Sequence, residues 1–156
     1  MAVRNIVKIG DDVLRKVCRT QLTFDDKLAQ ILDDMKETMY KAEGVGLAAP
    51  QVGILRRFCI VDTGDGLIEL INPVIIKAEG ERECIEGCLS VPGKYGLTIR
   101  PEKVTVEAYN RHGELIRYEG DDLLGQAFCH EIDHLDGILY TDIATRMLSP
   151  DELEFD

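Results

Sequence analysis

The stretch CHEIDHLDG, residues 129–137, carries two of the chain's three histidines, His130 and His134, four positions apart, with Glu131 beside the first. On a helix, positions four apart lie only about 40° apart around the axis, so both imidazoles can reach one metal ion. Glu131, one position on, is turned out of the ligand set yet stays near the open side of such a metal, where the general base of a hydrolase belongs. The competing account is an acidic helix whose histidines are hydrogen-bonded in the core or solvated. The choice rests on a third ligand, because catalytic sites of this kind take three protein ligands and leave one position open.

Position 140, where the long metalloprotease signature has a third histidine, is Tyr140. A glutamate ligand from a later helix is cramped by the short tail ending SPDELEFD. His112 falls in an RHG turn, where a solvated side chain is the ordinary fate. Cys88 stands in EGCLSVPG among polar and turn-forming residues. Taken alone it could be a buried, inert thiol, but paired with HEIDH it is the ligand to expect.

The elements that must position these residues can be read from periodicity. TFDDKLAQILDDMKETMYKAEG places Leu28, Ile31, Leu32, Met35 and Met39 at helical spacing, with Thr23 and Asp26 as the capping pair and Gly44 as the stop. Its apolar stripe reads as core. Extended signals follow in RFCIVDT, IELINPVII, KVTVEAYN and ELIRYEG, the last two flanking RHG as a hairpin, so the middle is mostly antiparallel sheet. From Asp121 the pattern returns to helix, with an aspartate cap and Gly137 at the exit. The expected fold is α+β: antiparallel sheets packed around a central helix that carries the histidines, with the N-terminal amphipathic helix covering one side.

The 156 residues fit a single domain, 1–156, large enough to bury a core without a disulfide or metal to hold it. Eighteen basic against 29 acidic residues give a net charge of −11, which argues against a phosphate-tracking surface and so against direct nucleic-acid binding. No apolar run suggests a signal peptide or a membrane span, and five cysteines form no disulfide framework, so reduced thiols in the cytosol are expected.

Three stretches together carry a family resemblance: GVGLAAPQ at residues 44–51, EGCLS at 86–90 and HEIDH at 130–134. In this order, spread over the chain, they resemble the motifs of peptide deformylases. The resemblance implies removal of the formyl group from the N-terminal formylmethionine of newly made polypeptides, releasing formate. It implies Cys88, His130 and His134 as ligands of one divalent metal, Fe2+ in the cell with Zn2+ or Ni2+ as substitutes, and Glu131 as the base that moves the water proton to the leaving amine. Gln51, through its side-chain amide, and Leu89, through its backbone N–H, would donate to the oxyanion. The backbone around Val45 and Gly46 would pair with an extended peptide, and Leu123 and Ala127, on the helix face of His130, would wall the methionine pocket. Glu86 would support the metal site from behind. Formylated initiation also points to a bacterium, and to the cytoplasm.

Readings from other classes are a catalytically silent metal-binding homologue and another metallopeptidase or deacylase. Glu131 and Gln51 speak against the first, since a structural metal site needs neither a base nor an oxyanion donor. The chain departs from the family pattern at Cys129, where glutamine is frequent, at Tyr95, where some relatives are basic, and in its tail. Some bacterial relatives end in a basic helix that contacts the ribosome, whereas MLSPDELEFD is short and acidic. Association with ribosomes is therefore expected to be transient, salt-sensitive or absent, and stable cosedimentation at moderate salt would contradict this.

Overall fold

In a computed structural model of the chain, which describes residues 2–153, the first long helix, α1, spans Asp26–Lys41. It buries Leu28, Leu32, Met35 and Met39, the stripe expected from their spacing. Its start differs from the expected Thr23 and Asp26 pair: Asp25 has the extended conformation of a cap and accepts the Leu28 N–H at 3.0 Å, while Asp26 is already helical. Its end differs too, because Glu43, not Gly44, adopts the left-handed conformation at φ 59°. The Glu43 and Gly44 N–H groups close the helix on the carbonyls of Tyr40 and Met39 at 3.1 and 3.0 Å. Gly44 is needed for a different reason, since a Cβ there would lie 2.6 Å from Cδ1 of Leu89.

Strands β1 (Gly46–Ala48), β2 (Phe58–Val61), β3 (Ile68–Glu79), β6 (Lys103–Tyr109) and β7 (Leu115–Asp121) form an antiparallel sheet in the order β1-β2-β3-β6-β7. The β6–β7 hairpin turns through the expected RHG tip, which the Asn110 side chain fastens by accepting from the N–H groups of His112 and Glu114. Every residue of β2 is buried because both faces of the sheet are covered. Phe58 and Ile60 pack with the α1 stripe, Leu47 and Ile71. Cys59 and Val61 pack with Ala127, Phe128, Ile132 and Leu135 of helix α2 (Asp122–Leu135). The histidine-bearing helix thus lies on one face of the sheet and α1 on the other, as expected.

Asp121 occupies the cap position of α2 but makes no capping hydrogen bond through its side chain. It is still the last residue of β7, and Asp122 takes φ 46° as the chain swings abruptly from strand to helix. A second antiparallel sheet, β4 (Arg82–Cys88), β5 (Val91–Arg100) and β8 (Arg146–Met147) in that order, was not visible in the sequence. Pro92, Gly93 and Gly96 interrupt the β5 pattern, and the sheet's inward positions include polar residues, Glu86, Thr98 and Arg100, so its alternation does not read as apolar and polar. A short helix, α3 (Tyr140–Ile143), follows α2. No described helix is long and apolar enough to cross a membrane. Residues 154–156 of the acidic tail, on which the ribosome expectation partly rests, lie outside the described residues.

Gly137, the expected exit of α2, has φ 76°, and a Cβ on it would stand 2.6 Å from the backbone oxygen of Arg15. Gly137→Ala is expected to lower stability by about 2 kcal/mol or more, through left-handed strain and this overlap. Urea unfolding should show a lower midpoint with an unchanged m value; a midpoint equal to that of the unaltered chain would contradict the account.

Candidate active site

Cys88 closes β4 at a register shift that pairs it with Val91, and this tight reversal aims its side chain at α2. There Cys88 Sγ lies 3.3 Å from Nε2 of His134, which lies 3.1 Å from Nε2 of His130. The three potential ligand atoms fall within 4.8 Å of one another. His112, the weighed alternative, is exposed at the hairpin tip and does not belong to this cluster. Tyr140 is not a ligand substitute: its buried ring stacks 6.2 Å from that of His130, and its hydroxyl donates to the Lys94 carbonyl at 3.1 Å.

Behind the cluster, Glu86 accepts from Nδ1 of His130 at 2.5 Å. Arg100 grips the same carboxylate with Nε at 3.0 Å and a terminal nitrogen at 2.6 Å, Thr98 donates to it at 2.7 Å, and Arg100 also reaches Asp133 at 2.7 Å. Burial alone would raise the Glu86 pKa, but the bonds from His130 and Arg100 hold it down at about 2. Thr98, Arg100 and Asp133 escaped the sequence reading. The signal was the two-residue period from Thr98 to Arg100, visible only once β5 is recognised as a strand facing Glu86.

Glu131 is fully buried beside the pair, and burial pushes its pKa up to about 7. Its Oε1 has no hydrogen-bond partner among the described residues. A Cβ on Gly46 would overlap the Glu131 carboxylate, so strand β1 can approach that side chain this closely only with glycine at that position. Gln51, in the 3-10 turn Ala49–Val52, extends Nε2 to within 3.5 Å of Cys88 Sγ.

These side chains border a cavity of about 440 Å³. Val45, Gly46, Gln51, Cys88, Leu89, Leu123, Ala127, His130 and Glu131 all line it, and His134 lies just behind. Leu123 is half exposed at its mouth, whereas Ala127 also belongs to the core beneath α2. Strand β1 is the edge of its sheet, so among the described residues no strand pairs with its second side, next to the cavity.

The chemistry of the donors suits a divalent metal. Burial keeps His134 neutral, well below its ordinary pKa, so its nitrogen keeps a free lone pair. Burial opposes charge on His130 as well, yet Glu131, Cys88 and Glu86 raise its pKa, and surroundings that favour an added proton also favour a metal cation. Burial pushes the Cys18 and Cys129 thiols up to about 11 and also raises those of Cys59 and Cys84, leaving these four as protonated core groups.

The family model "Polypeptide deformylase" matches residues 3–149. "Peptide deformylase" of Acetivibrio thermocellus is 58% identical over 99% of this chain and 91% of its own length, and "Peptide deformylase 2" of Clostridium acetobutylicum is 52% identical over 95% and 99%. Among solved structures, the peptide deformylase from Thermotoga maritima superposes with a TM-score of 0.91 at 38% identity, covering 93% of this chain and 99% of that one. The peptide deformylase from Synechococcus elongatus, solved in complex with actinonin, gives 0.89 at 40% identity over 92% and 79%. With matching motifs, fold and near-complete coverage, this chain belongs to the polypeptide deformylase family.

Proposed function

We propose that the chain acts as a metal-dependent peptide deformylase, hydrolysing the formyl amide of N-formylmethionyl nascent peptides with water and releasing formate. The observation that carries the reading is the convergence of one thiol, two imidazoles, a buried carboxylate and a carboxamide at one cavity, in a chain of this family. Cys88 Sγ, His130 Nε2 and His134 Nε2 would hold the metal. When bound, a divalent ion would lower the pKa of a water molecule and polarise the formyl carbonyl.

The protein's own groups do the remaining work. Glu131, whose pKa of about 7 lets it exchange a proton near neutrality, accepts the proton of the attacking water and delivers it to the departing amine. The Gln51 amide and the Leu89 backbone N–H donate to the oxygen that becomes negative. The backbone around Val45 and Gly46, at the open edge of the sheet, holds the peptide as an added strand, and Leu123 and Ala127 bound the space for the methionine side chain. Fe2+ is the assigned metal in the cell, with Zn2+ or Ni2+ as substitutes. We read residues 1–156 as one catalytic domain working in the bacterial cytoplasm, near the ribosome only transiently, without direct contact to nucleic acid or membrane.

Formate release from a formyl-Met peptide, using protein purified without oxygen and with its metal quantified, tests the reading. Rapid release with about one metal per chain is expected; bound metal without release from any formylated peptide would refute it. Glu131→Gln should keep its metal while kcat falls roughly 100-fold or more. Cys88→Ala should lose metal affinity first. Near-normal rates in both variants would show that the assigned site is wrong. Formylated peptides should also be strongly preferred over acetylated ones in direct competition.

A further inference from the structure

Gln51 can serve as an oxyanion donor only if its amide is the right way round and held still. An amide that flips would present an oxygen lone pair to a developing negative charge. Two contacts prevent this. The Ala48 backbone N–H donates to Gln51 Oε1 at 2.9 Å, which fixes the oxygen on the side away from the cluster. On the other side Gln51 Nε2 donates to the hydroxyl of Ser90 at 3.1 Å. Nε2 has two hydrogens, and the bond to Ser90 engages one of them. The other is left on the side of Cys88, 3.5 Å from its sulfur, where the reacting carbonyl must come.

Ser90 is suited to this task. It is completely buried, two residues beyond Cys88, and its own N–H points back to the Cys88 sulfur at 3.4 Å. A buried hydroxyl costs about 1–3 kcal/mol unless it is hydrogen-bonded, so packing alone gives no reason for one here. The backbones beneath are tied as well. The N–H of Val7 donates to the Gln51 carbonyl at 2.7 Å and that of Ile9 to the Ser90 carbonyl at 2.8 Å, so one N-terminal segment spans the two loops that carry the clamp. That segment is anchored further back, where Ala2 N–H and the Arg4 side chain reach the Asp34 carboxylate of α1.

We propose that Ser90 is a positioning residue of the reaction: its hydroxyl, together with the Ala48 N–H, orients the Gln51 carboxamide so that one N–H is presented to the oxyanion. The kinetic part rests on the deformylase reading, while the clamp itself does not.

The experiment follows the Gln51 side-chain amide protons by 15N–1H NMR in the zinc-loaded protein, assigned by their loss in Gln51→Glu. In the unaltered chain they should exchange with solvent far more slowly than those of the exposed Asn5. Exchange as fast as Asn5 would overturn the proposal without any Ser90 variant. Ser90→Ala should abolish the protection and Ser90→Thr, which keeps the hydroxyl, should retain much of it. In formate release, Ser90→Ala should lower kcat about tenfold with KM within about twofold and zinc content unchanged, a partial loss of one oxyanion donor. Adding Ser90→Ala to Gln51→Ala should cost nothing more. Losses that multiply in the double variant, or a Ser90→Ala chain with normal kcat and a protected amide, would overturn it. Because the exchange measurement makes no use of formate release, a chain that fails the reaction and a chain that lacks the clamp give different results.

Discussion

Glu86 and Arg100 place opposite charges in nearly dry protein, with side chains only 2% and 6% exposed, and the site is arranged around that pair. An isolated charge there would cost several kcal/mol, and a buried pair is tolerable only when its remaining hydrogen-bonding capacity is used. It is used. Arg100 meets both oxygens of Glu86, Thr98 takes a further position on Oε1, and Arg100 extends to Asp133 on α2. What remains on Oε2 is directed at Nδ1 of His130. An anion at that distance requires Nδ1 to carry its hydrogen whatever the charge on the ring, so Nε2 is the nitrogen turned toward Cys88 and His134. The ion pair therefore sets the tautomer, and it also ties β4, β5 and α2 into one rigid unit.

The same dryness gives Glu131 its character. Its carboxylate has the Gly46 backbone against it and one oxygen without a partner, so little compensates the loss of water and its proton affinity rises. The helix resolves a conflict of demands by spacing alone. Residues 130 and 131 are neighbours in sequence, but Nδ1 of His130 faces a carboxylate locked in its charged form, while Glu131 faces a cavity that offers no such lock. Two glutamates near one imidazole thus differ in pKa, from about 2 to about 7, because one is saturated with donors and the other is not.

The sequence made four strands of the larger sheet and both long helices legible, because those elements bury regular apolar stripes: Met35 and Met39 on α1, Phe128, Ile132 and Leu135 on α2, the alternating residues of β6; the short β1, Gly46–Ala48, lay inside a glycine-rich motif and was not read as a strand. It left β4 and β5 unread for the reason that makes them useful. Their inward positions hold Glu86, Thr98 and Arg100 where a structural sheet would hold valines, so the hydrophobic period vanishes at the place where polar support is concentrated. The C-terminal end of α1 was misplaced by a residue for a related reason. Gly44 looked like a helix stop, but its missing side chain makes room for Leu89, and Glu43 bears the left-handed conformation instead. Ser90 and Asp133 lie within EGCLS and HEIDH themselves, yet hydroxyls and carboxylates at such positions have no sequence signature; only the fold shows which partner each one meets.

The division of the site between elements has a mechanical logic. His130 and His134 stand on a helix whose opposite side, Phe128, Ile132 and Leu135, is packed into the core, so their separation is fixed by α-helical geometry and cannot drift independently of the sheet. Cys88, Leu89 and Ser90 come from a tight reversal between strands, and Gln51 from a 3-10 turn at the end of β1, elements that no regular lattice of hydrogen bonds would hold to the same tolerance. Those are the residues that receive additional ties: the Ser90 hydroxyl on Gln51, the Ala48 N–H on its oxygen, and backbone bonds from Val7 and Ile9. Electrostatic catalysis depends on donors that need not reorganise as charge develops. Here the helix supplies that rigidity through its own geometry, whereas the turns obtain it from side chains and from a strand of chain more than forty residues away in sequence.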